Sequence, residues 1–467
     1  MLKKLISLLL IPIFFTSIAY AKNSKKVHKL PVEDFVKLAI ENDTVFEEIL
    51  IDELSLKYSK GLQLPAKDIV LEIKGQYDAY FDLEKEYPEG SASLSKLFPY
   101  IGTSVSAEYT TMPSLSADQN SSMFTFLISQ PLAENAFGFA TRMHSKIIGI
   151  EIDVAKYQIV EAYEDYLATI ITAYYNWYSA YENLKIGNSS YKQNLKLLEN
   201  VKDRRRSNIA LPIDVNKVNV QVLSKKENLI TLEESYENVL NFIKQTIRYK
   251  GNEILEPMPP SDYKNKVVVF ETEYENFKKE SRTYDILKIL EKKSSLEVKK
   301  NANELLPSTN LLLGYKTSGE DFDIKNEEKY AYGAISVSWP LSDQIAHAEY
   351  EISKITHKKT QISNENKYVQ LYTDLKNLSI QIEREKKLIS IADKKIKLAE
   401  SILKDESQNY SYGKVTLNDY IDAVNRLDDN KFNRILHLVQ LKILTTEWLR
   451  MTDQLINRKE IQNKPKL

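Results

Sequence analysis

The chain has 467 residues, with 64 Lys and Arg balanced by 65 Asp and Glu, 28% charged residues, 12 glycines, 14 prolines and no cysteine. A net charge of −1 leaves no basic surplus to hold a nucleic-acid backbone, and no Gly-rich phosphate motif is present, so nucleic-acid binding and nucleotide chemistry are both excluded as readings. Without cysteine there is no thiol catalysis, disulfide, thiolate metal centre or lipid attachment at an N-terminal cysteine, and scarce Gly and Pro with abundant charge is the composition of long helices.

In chain order, Lys3 and Lys4 precede an apolar run that ends at Ala19-Tyr20-Ala21, small residues where a signal peptidase reads. Residues 1–21 therefore read as a secretory signal. The run is too short to span a bilayer as a helix, which takes about 20 apolar residues. The remainder reads as two copies of one unit, 22–250 and 272–452, with a Pro-rich linker at 251–271 and a polar tail at 453–467.

Each copy opens with a helical stretch that runs into a Pro-led strand, after Leu64-Pro65 in one and Leu306-Pro307 in the other. A later strand ends alike in both, Ser129-Gln130-Pro131-Leu132 and Ser338-Trp339-Pro340-Leu341, so the strands fall within 66–131 and 308–340. Long Gly- and Pro-poor stretches follow, 133–207 and 342–412, each more than about 100 Å long as a helix. Apolar residues recur there at three-and-four spacing, as in Ile159, Tyr163, Tyr166, Ile170 and Tyr174, which predicts coiled-coil-like lateral packing. Asn208 and Gly413, residue types that tolerate the left-handed backbone, predict the turns into shorter helices at 212–249 and 416–452.

The stretch before each strand and the shorter helix after each turn together equal one long helix, which predicts a wall of constant height. The copies differ between their prolines, where the first carries additional alternating segments near 92–97 and 101–109 that predict an extra hairpin. The strands alternate apolar with Ser, Thr and Tyr, suiting one greasy and one wet face, yet they are too few for one chain to close a membrane barrel.

The order, spacing and duplication of these elements over nearly the whole mature chain resemble the outer-membrane efflux proteins of the TolC family. The resemblance implies a mainly α fold with a small β part: a trimeric α-helical barrel continuing into a shared outer-membrane β-barrel, to which each of three chains gives four of twelve strands. It implies a passive exit duct in a Gram-negative-type envelope, without cofactor or catalysis, working with a periplasmic adaptor and an inner-membrane pump for efflux or type I secretion. The competing reading is a periplasmic coiled-coil scaffold with no channel.

The resemblance also assigns roles at the turns. Asp419 and Asp422 match the family's ring of entrance aspartates, although acids in a first helical turn also answer the helix dipole. Tyr410 and Asp214 match a pair that closes the entrance by a cross-helix hydrogen bond, while an arginine expected after the turn glycine is Val415, with Lys414 beside it. Arg204, Arg205 and Arg206 are candidates for adaptor contact, or simply cations at a helix C-terminus. The five histidines form no metal-binding spacing.

Overall fold

The computed structural model describes residues 27–63, 68–80, 85–112, 121–260, 270–320, 322–324 and 328–456. The signal read at 1–21 and the tail from 457 onward lie outside the described residues.

Among the described residues there are eight α-helices: α1 (Val32–Asn42), α2 (Thr44–Gln63), α3 (Phe139–Arg206), α4 (Pro212–Thr246), α5 (Phe270–Glu280), α6 (Arg282–Glu304), α7 (Gln344–Ser411) and α8 (Leu417–Met451). The two long helices have 68 residues each and the two helices after the turns 35 each. The helical stretch ahead of each strand region is two helices, not one. Asp43 and Ser281 adopt extended backbone and turn their side chains onto Val45 N–H and Tyr284 N–H, which ends one helix and caps the next. The first long helix starts at Phe139, later than the sequence suggests, because Asn135, Phe137 and Gly138 all have positive φ and form a tight corner below Pro131.

The segment read as a linker holds structure of its own. Strand β6 (Ile254–Pro257) pairs in parallel with β1 (Val27–Leu30), and Tyr174 bolts the pair to α3: its hydroxyl donates to Leu30 O at 2.8 Å and accepts from Met258 N at 2.9 Å. Around it Phe35, Tyr174 and Trp177 are fully buried, with Tyr163 and Tyr166 donating to Glu53 and Asp43 at 2.6 and 2.8 Å. Tyr163, Tyr166, Tyr174, Tyr175, Trp177 and Tyr178 of this rod are core.

Helix α3 is flanked on one side by α2 and α4 and on the other by α6 and α8, and α7 lies beyond those. Continuous rods thus alternate with stacked pairs. The arc stays open in a single chain. Its α7 edge exposes Ile345, Ile352, Ile362, Val369, Ile391 and Leu398, spaced largely by sevens, and its other edge exposes Val220, Leu223 and Ile230 of α4.

The second sheet is antiparallel and has six strands in the order β2 (Ile69–Tyr80), β3 (Lys85–Phe98), β4 (Thr103–Met112), β5 (Ser121–Pro131), β7 (Ser308–Gly319) and β8 (Glu328–Ser338). Four strands come from the first copy and two from the second, so the described sheet has two strands more than the four per chain that the resemblance implies for the barrel. The additional hairpin β3–β4 sits inside the sheet, between β2 and β5. Register gives the sheet one mainly apolar and one mainly polar face, with Lys96 and Lys329 on the former and Leu127 on the latter. One row across the sheet reads Leu71, Leu94, Ala107, Phe126, Tyr315, Ala331; the next, on the opposite face, reads Glu72, Ser93, Glu108, Thr125, Lys316, Tyr330. No helix among the described residues is long and apolar enough to cross a membrane.

Candidate functional site

The two helix tips are built to one plan. At the end of α3, Asn208 has φ +56°, its N–H reaches Arg205 O at 2.9 Å, and Ile209 N–H reaches Arg204 O at 2.8 Å. At the end of α7, Gly413 has φ +72°, with Gly413 N–H on Tyr410 O at 3.1 Å and Lys414 N–H on Asn409 O at 3.0 Å. Both are left-handed caps that satisfy the last carbonyls of a long helix.

The acids that follow are also equivalent. Asp214 is the third residue of α4 and accepts Leu211 N–H at 3.0 Å. Asp419, the third of α8, accepts Thr416 N–H at 2.9 Å and the Thr416 hydroxyl at 2.7 Å, while Thr416 Oγ1 accepts Asp419 N–H. These bonds hold the Asp419 carboxyl below the usual carboxylate range. Asp422, one turn on, is exposed. Capping and a charged tip are not exclusive, because each cap uses one carboxylate oxygen, of an exposed side chain at Asp419 and a half-buried one at Asp214.

Arg204 joins the two tips. Its guanidinium lies over the Tyr410 ring at 4.7 Å and its Nη1 donates to Tyr410 O at 3.1 Å and Ser411 O at 3.3 Å. Tyr410 in turn stacks on Tyr420, rings 5.8 Å apart and 3° from parallel, above a core of Leu197, Leu198, Val201, Val218, Val222 and Leu417. Burial pushes the Tyr410 hydroxyl up, Arg204 opposes this, and nearby Asp214 and Tyr420 add to it. No Tyr410–Asp214 hydrogen bond forms within the chain; the Asp214 carboxylate is turned to its own helix start. The cation at this junction therefore comes from the first tip, not from position 415. Arg205 and Arg206 remain exposed, the latter paired with Asp203 at 2.9 Å.

Further up the wall lies a second charged knot that no sequence motif marks. Arg282, at the start of α6, is 3% exposed and meets Glu164 of α3, Glu161 at 3.4 Å and Asp453 at 3.1 Å, and its backbone N–H also reaches Asp453. Asp453, two residues past the end of α8, is thus docked, although 453–467 reads as a polar tail. Burial raises the Glu164 carboxyl to about 7; Arg282 works against the shift and Asp453 with it. The three carboxylates converge closely enough for a cation, and the guanidinium already fills that role. Its partners lie more than a hundred residues away in sequence, so no local motif marks it. Among the histidines, His437 pairs with Glu385 at 2.8 Å and His357 with the Ser294 hydroxyl at 2.8 Å, both contacts between packed helices.

Comparison with known proteins finds likeness in fold alone. No family profile and no curated protein sequence matches the chain. Among solved structures, the transmembrane channel protein CusC is similar at TM-score 0.68 and 11% identity, over 90% of this chain and 91% of that one. The outer membrane protein VceC of Vibrio cholerae gives 0.67 and 12%, over 90% and 95%, and the CmeC outer membrane channel of Campylobacter jejuni gives 0.67 and 13%, over 92% and 88%. The chain has the fold of the TolC-type outer-membrane channels.

Proposed function

We propose that the protein is a passive outer-membrane exit duct formed by three copies, with the sheets in the outer membrane and the helices extending into the periplasm. The observation that carries this reading is the open arc. Both the helical wall and the sheet end in free edges, the helical edges are apolar, and the sheet has one greasy face. A curved layer with apolar edges on both sides closes by repeating itself head to tail. A soluble scaffold has no use for a six-stranded sheet with one apolar face.

Lipid would cover the apolar row that contains Leu71, Phe126 and Tyr315, while the row of Glu72, Glu108 and Lys316 would line water. The chain carries no nucleotide motif, so energy and cargo selection belong to an inner-membrane transporter joined by a periplasmic adaptor. The exposed Arg205 and Arg206 are the available adaptor contacts at the first tip, since Arg204 is engaged with Tyr410.

At the tips, Asp419 and Asp422 of three copies would ring the periplasmic entrance and favour cations. Conductance of the purified protein in planar bilayers tests the duct, and the reversal potential in a salt gradient tests the ring. Asp422→Asn, which leaves the Thr416 cap untouched, should lower cation preference. A protein that forms no channels and is recovered as a soluble monomer would overturn the reading.

A further inference from the structure

The sheet has two free edges, β2 and β8, and its apolar face continues through the inserted hairpin as Ala92, Leu94, Val105 and Ala107, with Lys96 the charge on that face, next to the turn. Resting on the trimeric reading above, we infer that all six strands enter the barrel wall, so that β8 of each copy pairs with β2 of the next and three copies close an eighteen-stranded barrel.

Three features carry this beyond the twelve strands of a four-per-chain barrel. The first is register. Leu71 of β2 stands opposite Leu94 of β3, which stands opposite Ala107 of β4, and the neighbouring row of Glu72, Ser93 and Glu108 keeps the polar face. An external flap need not keep the membrane alternation of the strands beside it; β2 and β3 keep it in phase with β4, β5, β7 and β8. Their 12 and 14 residues also reach the roughly 9–11 that a tilted strand needs to cross a bilayer.

The second is the seat of the β3–β4 turn. Gly102 (φ +73°) and Gly138 (φ +74°) face each other so closely that a Cβ on Gly102 would lie 2.7 Å from Gly138 N. Arg142 of α3 donates to Tyr100 O at 2.6 Å, and Gln130 of β5 to Ile101 O at 3.1 Å. The turn is short, lies at the end of the sheet that meets the helices, and is locked to the first long helix. Short turns belong to the periplasmic rim of an outer-membrane barrel.

The third is direction. Neighbouring strands alternate, so an even set of six leaves β2 and β8 antiparallel, and pairing β8 with the next β2 continues the pattern without a fault. The free edges of the helical layer lie on the same two sides, because α7 follows β8 and α2 precedes β2. The same second copy that covers Ile352 and Leu398 would supply the missing strand. The circumference becomes half again that of twelve strands, in the size class that encloses an open aqueous channel, and the narrowing of the duct falls to the helix tips.

The chain has no cysteine, so introduced pairs report cleanly. Leu71→Cys in β2 is combined in turn with Gly333→Cys, Ile335→Cys or Val337→Cys in β8, and Ala107→Cys in β4 with the same three. Isolated outer membranes are oxidised and run on non-reducing gels, and the mass of each detergent-solubilised variant is measured alongside. The expected result is a reducible covalent trimer from one of the Leu71 pairs and none from the Ala107 pairs. Cross-linking through Ala107 instead would place β2 and β3 outside a twelve-stranded wall and overturn the inference. No cross-link in either set, with a trimeric mass, would overturn it while leaving the trimer intact; a monomeric mass would remove the trimeric reading itself.

Discussion

The two halves of the chain are matched where they are helical and unmatched where they are strands. Long helices of 68 and 68 residues, and second helices of 35 and 35, stand against four described strands of the large sheet in one half and two in the other. The reason is geometric. Rods that pack side by side along their whole length must agree in length, or one end loses its partner. A sheet that grows around an axis accepts whole hairpins without disturbing strand direction, provided each new turn is anchored. Height is therefore constrained by the duplication, and circumference is free to differ.

The largest break in the matched part should come from Arg282→Ala. Arg282 belongs to the second half and its partners Glu161 and Glu164 to the first, so the substitution leaves buried carboxylates without their cation. Removing one partner of a buried ion cluster costs about 3–5 kcal/mol, read as an early loss of helicity on heating. The same cluster predicts a pH dependence. A carboxyl raised to about 7 when folded, against an ordinary 4.5, binds its proton more readily in the folded state. Its contribution to stability is full below pH 4.5, falls as the pH rises towards 7, and is lost above. Glu164→Gln should flatten that slope in thermal melts taken across pH 5–8; an unchanged slope would place the titrating group elsewhere.

Next in size is the unmatched part. Gly102→Ala puts a Cβ against the Gly138 backbone at positive φ and should cost about 2–4 kcal/mol. Gly413→Ala has the same sign of φ but open space around it, and should cost only about 1–2 kcal/mol. Equal losses would mean that the hairpin seat adds nothing beyond backbone strain.

Smaller effects belong to the tips. Arg204→Ala removes charge-assisted hydrogen bonds from one tip to the other, worth about 1.5–3 kcal/mol, and, on the proposed reading of the tips as the entrance, should raise single-channel conductance by loosening the junction between them. Tyr410→Phe should change it least, because the ring under Arg204 is kept and the hydroxyl makes no bond to Asp214 within the chain. A large rise with Tyr410→Phe would point to a hydrogen bond made only across the assembled entrance.

Much of the helical frame is legible in the sequence because its signals are local: Asn208 and Gly413 at the turns, Thr416 with Asp419 at a helix start, and apolar spacing along the rods. The breaks at Asp43 and Ser281 are less legible. Capping residues there interrupt an otherwise continuous apolar pattern, and no glycine or proline marks the place. The inserted hairpin shows as alternation near 92–109, but whether it joins the wall depends on cross-strand register, which no single segment contains. At the tips the sequence suggests a lost arginine at Val415. The guanidinium comes instead from Arg204, 206 residues before its acceptor Tyr410, through a contact that exists only once the two halves are packed.

The most direct test is an electron cryo-microscopy map of the protein purified from outer membranes, at a resolution that separates strands. The account predicts three copies, a helical wall of constant height in which long rods alternate with stacked pairs, and eighteen strands in one closed barrel with β3 and β4 in the wall. Twelve strands with that hairpin outside, or a single copy with open edges, would contradict it.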